Sequence, residues 1–244
     1  MSNSRVAWLD AHATPARFPD VENALREPDG LLAAGGDLSS DRLLCAYASG
    51  IFPWYEAGQP ILWWSPDPRC ILHPNEFRVS RRLLRYLRRT PFSLRCNSAF
   101  GDVIDACAAH RPAQRGTWIT PAMSDAFRQL HRDGWAHSIE IWDGAELVGG
   151  LYGLSIGRVF FGESMFSRRD NTSKFAMFSL CRILAEHDFA LLDCQVLSRH
   201  LTSLGARLLP RREFCAVLQG ACDPRSKFSH WPANDQPIAD FVRN

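Results

Sequence analysis

Two carboxylates and one amide stand at the ends of apolar segments in this sequence. Glu163 follows an apolar, aromatic run that ends at Phe161, and Asp193 and Gln195 end a short apolar segment that begins at Leu191. A carboxylate accepts hydrogen bonds, and an amide both donates and accepts them. If these segments are strands, two acids and an amide meet at strand ends beside an apolar wall. For Asp193 alone, capping of the following turn is an equally good interpretation.

The elements that would position these groups follow from hydrophobic periodicity and turn signals. Strands are predicted at 137–142, 146–154 and 158–161, and Asp143-Gly144 is a strong hairpin signal between the first two. A helix over 173–186, the 191–195 strand, a short helix ending at Gly205, an edge strand and a helix from Arg211 complete the series. Residues beyond Gly220 are expected to be irregular. An antiparallel meander followed by helix, strand, helix and strand is the order of the GNAT acyltransferase fold.

Four helices are predicted before the meander. The first is capped by Ser39 or Ser40, buries Leu43, Leu44 and Tyr47 on one face and stops at Gly50. Ser80 is expected to cap a helix over 80–89, Asn97 a helix over 97–109, and Thr120 a helix with Pro121 at its first position and Gly134 after its end. Residues 1–30 carry three prolines and should be mostly loop. We therefore expect an α+β protein, with a small N-terminal α/β domain over 1–70 and a GNAT-like catalytic domain over 71–244.

Length and composition exclude several classes of protein. The chain has 244 residues, 46% of them hydrophobic and 22% charged, which suits a globular protein of one large or two smaller domains. No apolar run reaches the roughly 18 residues of a membrane helix, and the first ten residues lack the apolar region of a signal peptide. We expect a cytoplasmic protein. The eight scattered cysteines contain no Cys-x-x-Cys pair, so reduced thiols and no metal site are expected.

Positive charge is concentrated in one segment although the net charge is only +2. Residues 77–101 contain seven arginines and no acid. Five of these arginines lie on the exposed side of the predicted 80–89 helix. A solvated charged face normally mixes both signs, so this helix favours contact with the phosphates of a nucleic acid. The five arginines are Arg81, Arg82, Arg85, Arg88 and Arg89.

Tryptophans are concentrated shortly before that helix. Residues 51–69 contain three of the eight tryptophans in a proline-rich neighbourhood. Core packing is the ordinary interpretation of a single tryptophan. A stacking platform for nucleic-acid bases is the alternative, and the nearby basic helix favours it.

The sequence lacks the loop that would hold coenzyme A as the acyl carrier. GNAT enzymes that use it grip its pyrophosphate with a glycine-rich loop before the helix that follows the meander. The corresponding segment here, 167–174, contains no glycine. The arginine-rich helix and the tryptophans point instead to an acyl group carried on RNA.

Several motifs, in this order, resemble the bacterial leucyl/phenylalanyl-tRNA–protein transferases. They begin at Gly30 (GLLAAGGDL), Gly50 (GIFPWY), Leu62 (LWWSPDPR), Gly116 (GTWI), Leu147 (LVGGLYG), Phe161 (FGESMFS), Asp193 (DCQ) and His200 (HLTSLGA). The resemblance covers about residues 15–218. It implies transfer of Leu or Phe, and less readily Met, from aminoacyl-tRNA to proteins with N-terminal Arg or Lys, which creates a degradation signal of the N-end rule pathway. It also implies a monomer that needs no cofactor.

The resemblance further implies roles for individual residues. Asp193 and Gln195 would form a relay that orients and activates the acceptor amine, with Glu163 beside the reacting centre. From charge alone, Glu163 could instead pair with the acceptor's cationic side chain. Trp54 and Trp118 would contact the terminal adenosine of the tRNA, and the Arg81 to Arg89 helix its acceptor stem. The expected apolar pocket for the donor side chain consists of Leu151, Phe160, Met165, Met177 and Leu192.

Two departures and two alternatives accompany this interpretation. Thr172 and Met177 stand where Ala and Leu are expected, and Met177 could shift the preference between Leu and Phe. A coenzyme A-dependent N-acyltransferase shares the fold but requires the missing phosphate loop. A non-catalytic RNA-binding module explains the basic helix and the tryptophans but leaves Glu163, Asp193 and Gln195 without a role.

Overall fold

The computed structural model describes residues 6–13, 17–109, 118–232 and 235–242. These residues form a mixed α/β protein with two sheets, which confirms the predicted α+β class. Gly116 and Thr117 of the predicted GTWI motif lie outside the described residues. None of the helices described is long and apolar enough to cross a bilayer.

The described part of the chain contains twelve strands and eight α-helices. The strands are β1 (Ala7–Leu9), β2 (Leu31–Gly35), β3 (Phe52–Pro53), β4 (Leu62–Trp64), β5 (Arg69–Leu72), β6 (Ser93–Cys96), β7 (Ala136–Asp143), β8 (Glu146–Ile156), β9 (Val159–Ser167), β10 (Leu191–Gln195), β11 (Arg207–Leu209) and β12 (Gln236–Pro237). The helices are α1 (Ser40–Ala48), α2 (Arg81–Leu87), α3 (Phe100–Ala108), α4 (Pro121–Arg132), α5 (Thr172–Glu186), α6 (Arg199–Ser203), α7 (Arg211–Ala221) and α8 (Ile238–Phe241).

The larger sheet contains the predicted meander at its centre. Its strand order is β11-β5-β10-β9-β8-β7-β6-β12, and β7, β8 and β9 are successive antiparallel neighbours. Strand β10 then returns beside β9 in the parallel direction, after the crossover through α5. The order meander, helix, parallel strand is compatible with the predicted GNAT-like arrangement. Strand β11 lies at the edge of the sheet, as predicted.

The smaller sheet has the order β1-β2-β4-β3 and belongs to the N-terminal part of the chain. Its strands are followed by β5, which starts at Arg69 and pairs with β10 and β11 of the larger sheet. The division into domains at residues 70 and 71 stays a prediction. The chain passes from one sheet to the other immediately before that boundary.

Two apolar cores cover the two faces of the larger sheet. On one face, α1, α3 and α4 pack with Tyr152 and Phe161, and this core continues into the smaller sheet. On the other face, α2 and α5 pack with Leu151 and Phe160. Because side chains alternate along a strand, neighbouring residues of β8 and β9 contribute to opposite cores. A group placed between β9 and β10 can therefore reach both faces.

The predicted helix caps are confirmed at three helices and wrong at one. The side chains of Ser39, Ser80 and Thr120 each accept a backbone hydrogen bond at the start of α1, α2 and α4, and Pro121 is the first residue of α4. Asn97 does not cap α3, which begins at Phe100. Asn97 has φ 60° and accepts a hydrogen bond from the backbone of Ser138 in β7 instead.

Two further boundaries differ from the prediction. Strand β9 was expected to end at Phe161, but it continues to Ser167, so Glu163 lies inside a strand rather than after one. The segment beyond Gly220 was expected to be irregular, yet it contributes β12 and α8. The polar residues 163–164 interrupt the apolar pattern of β9 and so hide its continuation.

We predict that Gly153→Ala destabilises the protein by about 1–3 kcal/mol, because overpacking forces backbone or side-chain shifts. A Cβ at Gly153 would lie 2.1 Å from the carbonyl oxygen of Phe161 and 2.5 Å from the ring of Phe160. Chemical denaturation measures the effect. The matched control is Gly220→Ala in α7, where a Cβ meets no atom within 4 Å and the helix should gain stability. Equal effects of both substitutions would contradict the prediction.

Candidate active site

A gap opens between β9 and β10 where their parallel pairing ends. The last paired residues are Phe161 and Asp193. Beyond this point each strand carries one extra residue, Glu163 in β9 and Cys194 in β10. Such β-bulges bend a strand and redirect its side chains, and they are common beside active sites. Gln195 directly after the second bulge has φ 62°, a left-handed conformation that is uncommon for a residue with a side chain.

The gap contains a cavity of about 100 Å³. The bulge in β9 places Met165 opposite Leu151, on the face covered by α5, and both line the cavity. Its polar lining includes Tyr152, Glu163 and Gln195. Apolar side chains from three strands and two helices supply most of the remaining wall: Leu151, Met165, Met177, Leu180, Leu192 and Leu201.

Four of the five residues predicted for the donor pocket line this cavity, namely Leu151, Met165, Met177 and Leu192. The fifth, Phe160, lies outside it. Phe160 pairs with Leu192 where the two strands are still joined, and its ring packs edge-on against Trp231 at 6.2 Å.

Asp193 lies under the cavity in a buried ion pair with Arg69. The Nε and Nη2 atoms of Arg69 donate to the two carboxylate oxygens at 2.8 and 2.7 Å, and both side chains are at most 1% exposed. The third guanidinium nitrogen donates to the carbonyl oxygen of Gly50 at 3.1 Å. The rings of Phe52 and Phe214 lie 4.6 and 4.8 Å from the guanidinium carbon. Arg69 is therefore fixed in place by groups from several parts of the chain.

The same carboxylate holds the backbone of Gln195. The backbone N–H of Gln195 donates to Oδ1 of Asp193 at 2.9 Å. This bond closes a turn over the bulge and stabilises the unusual φ of Gln195. Both oxygens of Asp193 are thus engaged, and Asp193 is not among the residues that line the cavity.

Glu163 connects the cavity to α1. Its Oε1 atom accepts hydrogen bonds from the Tyr47 hydroxyl and from Nε2 of Gln195, each at 2.8 Å. Burial raises the pKa of Glu163 to about 8, while the hydrogen bonds from Tyr47 and Gln195 and the charge of Arg69 oppose that shift and the charge of Asp193 adds to it. The residue is partly exposed towards the cavity, but its Oε2 atom is sealed from solvent and has no hydrogen-bond partner among the described residues.

Three residues that shape the site were not predicted: Arg69, Tyr47 and Tyr152. Arg69 ends the LWWSPDPR motif, yet an arginine after a Pro-Asp-Pro turn gives no sign of burial in sequence. Tyr47 was predicted to lie on the buried face of α1, and it does. The prediction gave its hydroxyl no role. Tyr152 lies in a glycine-rich strand without any polar pattern.

The two predicted adenosine-contacting tryptophans lie outside the cavity lining. Trp54 is 45% exposed, and its ring lies 5.9 Å from that of Trp64. Trp118 is half-buried against the core that contains α1, α3 and α4. An exposed indole such as Trp54 offers a stacking surface, whereas packing accounts for most of the Trp118 ring.

A cationic cleft of about 710 Å³ adjoins α2. Arg78, Arg82 and Lys174 line it together with one acid, Asp170. The three cationic side chains form no ion pair within the described residues. Lys174 lies one turn before Met177 on α5, so the cleft and the cavity are neighbours along the same helix.

Comparison with known families identifies the relatives of this chain. Residues 71–219 match the family model of the leucyl/phenylalanyl-tRNA protein transferase, and residues 36–67 match the model of the N-terminal domain of that transferase. The chain belongs to this family. A transferase of Chromohalobacter salexigens is 54% identical over 96% of this chain and 90% of its own length. Leucyl/phenylalanyl-tRNA–protein transferases of Pseudomonas fluorescens and Pseudomonas aeruginosa are 54% and 55% identical over 87% and 88% of the chain, and 93% and 94% of their own lengths.

We predict that Asp193→Asn destabilises the protein by about 3–5 kcal/mol, because it leaves the buried charge of Arg69 without a partner. Urea unfolding measures the loss. The double variant Arg69→Met with Asp193→Asn removes the charge as well and should be less destabilised than the sum of the single changes. Additive losses would contradict the buried ion pair.

We also predict that Glu163 makes stability fall as the pH rises. In the folded state the Glu163 carboxyl has a pKa of about 8 and keeps its proton up to that pH. In the unfolded chain its pKa is lower, so the proton is released at a lower pH. Between about pH 5 and 8 this one group should lower the free energy of unfolding by up to about 1.4 kcal/mol per pH unit. Above about pH 8 the free energy should no longer change because of it. Unfolding curves of the wild type and Glu163→Gln, recorded from pH 5 to 9, should therefore diverge. Parallel pH dependence would show that the pKa of Glu163 is not raised.

Proposed function

We propose that this chain transfers Leu, Phe or Met from aminoacyl-tRNA to the α-amino group of proteins that begin with Arg or Lys. The names of its relatives specify a tRNA and a protein as substrates. The observation that carries the proposal is the apolar cavity in the gap between β9 and β10, with Glu163 and Gln195 on its rim. Such a cavity suits one apolar side chain, since pockets for whole ligands are several times larger.

An aminoacyl ester is already activated, so the reaction is chiefly a matter of positioning. The amine forms a bond to the ester carbon, the bond to the 3′ oxygen of the tRNA breaks, and one proton passes in net terms from the amine to that oxygen. A free α-amino group has a pKa of about 7.7–8.0, and a substantial fraction is therefore neutral at cellular pH. The site must hold the amine against the ester and keep competing water out.

Gln195 is the residue that orients the amine in this proposal. Its Nε2 atom is fixed by Glu163, while its side-chain oxygen accepts no hydrogen bond from the described residues. An amide oxygen aligns an amine N–H but is too weak a base to remove its proton. Asp193 acts through Gln195 as a positioning residue, because both of its oxygens are already bonded to Arg69 and to the Gln195 backbone.

The cavity also accounts for tolerance among Leu, Phe and Met. An apolar wall discriminates between similar side chains by only about 1–3 kcal/mol per methylene. Met177 and Met165 are unbranched and adapt their shape to different occupants. A rigid wall of branched residues would be more selective.

The tRNA surface in this proposal comprises α2, the cationic cleft and the exposed Trp54. Cationic side chains that form no local ion pair attract phosphates, and their binding releases counterions from the nucleic acid. This strengthens binding without dependence on base sequence. The cleft adjoins the donor cavity along α5, so phosphates bound there would bring the aminoacyl end close to Glu163. The arginines of α2 and its C-terminal flank provide the wider surface: Arg81, Arg82, Arg85, Arg88 and Arg89.

The first test is transfer of labelled Phe from Phe-tRNA to a peptide that begins with Arg, beside the same peptide beginning with Ala. We expect transfer to the Arg peptide only, reduced about 100-fold by Gln195→Ala because the amine loses its alignment. Gln195→Ala is preferable to Asp193→Ala, which would also leave Arg69 unpaired.

The matched control is Gln219→Ala on the exposed surface of α7, which should transfer Phe like the wild type. Binding of Phe-tRNA without transfer to either peptide would refute the catalytic proposal and leave an RNA-binding module.

The second test concerns the cleft. We predict that Arg82→Ala and Lys174→Ala each raise KM for the aminoacyl-tRNA and lower the slope of log affinity against log salt by about 1, because each removes one phosphate contact. Kinetics and filter binding at several salt concentrations measure both effects. Arg225→Ala, which changes a fully exposed arginine paired with Asp223, is the control and should alter neither. Unchanged salt dependence in the cleft variants would show that the tRNA does not bind in the cleft.

A further inference from the structure

Two polar atoms at the cavity have no hydrogen-bond partner among the described residues. They are the hydroxyl oxygen of Tyr152 and Oε2 of Glu163, and neither is accessible to solvent. An unsatisfied buried polar group costs about 1–3 kcal/mol, so a native protein rarely keeps one without a reason. Since both residues line the same cavity, a group that enters the cavity is the natural partner for both atoms.

Tyr152 is held firmly in this position. It pairs with Ser164 across the bulge of β9, and its ring packs edge-on against Phe100 at 5.8 Å and Phe127 at 5.4 Å. Burial, and then the nearby charge of Glu163, raise the pKa of Tyr152 well above its usual value. The hydroxyl therefore stays protonated, and it is a neighbour of the Glu163 carboxyl.

The geometry of an aminoacyl ester places its amino group at this wall. The α-nitrogen and the side chain are bonded to the same Cα, so the nitrogen lies only about 2.5 Å from Cβ. When the side chain fills the apolar part of the cavity, the amino group must lie at its polar edge. An ammonium group can donate there to both a carboxyl oxygen and a phenol oxygen, and its charge favours the ionised form of Glu163.

We propose that the Tyr152 hydroxyl and the free oxygen of Glu163 bind the α-amino group of the donor amino acid, and so select acyl donors in which this group is free. The inference rests on the proposed function and adds a specificity determinant to it. A donor without the amino group leaves both atoms unpaired, and an N-acylated donor adds bulk where they lie and carries no charge. Sites built to hydrogen-bond a substrate group reject analogues that lack it strongly.

The acceptor amine does not need these two atoms. Its expected partner is the side-chain oxygen of Gln195, which accepts no hydrogen bond from the described residues, while Nε2 of the same amide donates to Oε1 of Glu163. The two amino groups of the reaction thus have separate partners. Glu163 connects them, because one of its oxygens fixes Gln195 and the other faces the donor.

The test compares Phe-tRNA with tRNA charged with 3-phenylpropionate, which is the same acyl group without its amine. With the Arg peptide as acceptor, we expect the wild type to prefer Phe-tRNA in kcat/KM. Tyr152→Phe should reduce that preference about tenfold by slowing Phe transfer alone, since one hydrogen bond is lost. Its melting temperature should not fall, because the hydroxyl removed has no partner in the free protein.

Tyr47→Phe is the matched control. It also removes a phenol hydroxyl next to Glu163, but one that bonds Oε1 and supports Gln195, so it should slow both donors alike and leave their ratio unchanged. If the wild type uses both donors equally, or if Tyr152→Phe slows both equally or lowers the melting temperature, the inference is overturned while the transferase proposal stands. Failure of the wild type to transfer Phe at all would refute the proposed function instead.

Discussion

The site depends on one buried ion pair. Arg69 and Asp193 join β5 to β10 through two short hydrogen bonds in a place closed to water. Such a pair contributes little net stability, because removing two charges from water costs about as much as their attraction returns. Its value here is geometric. The pair fixes the carboxylate that holds the Gln195 backbone, and Gln195 then directs its side chain at Glu163.

The two bulges convert a closed sheet into a site. Without the extra residue in β9, alternation would turn Met165 to the opposite face of the sheet, away from Leu151 and α5. The extra residue in β10 lies in its pairing with β5 and bends the strand at the point where its pairing with β9 ends. The cavity is therefore a consequence of two local register shifts rather than of an insertion or a separate loop.

Much of the architecture could be predicted from the sequence, because it depends on local signals. Ser80, Thr120 and the Asp143-Gly144 turn act within a few residues, and the meander and the helix α5 follow from periodicity. Of the residues proposed for the site, the structure brings Glu163, Gln195 and four of the five pocket residues to one cavity and places Asp193 directly beside Gln195. Arg69 and Tyr152 were missed because burial and the lack of a partner are properties of the folded chain. Phe160 lies outside the cavity, and a strand pattern does not reveal where pairing with the next strand stops.

The contact between Arg69 and Asp193 spans 124 positions of sequence, and the contact between Tyr47 and Glu163 spans 116. Contacts between such distant residues are slow to form, since a long loop must close before they stabilise anything. On the ribosome, the arginine and the tyrosine emerge long before their partners do. The nascent chain therefore exposes the unpaired Arg69 and an incomplete sheet edge until β10 is synthesised, and the site can form only after that point.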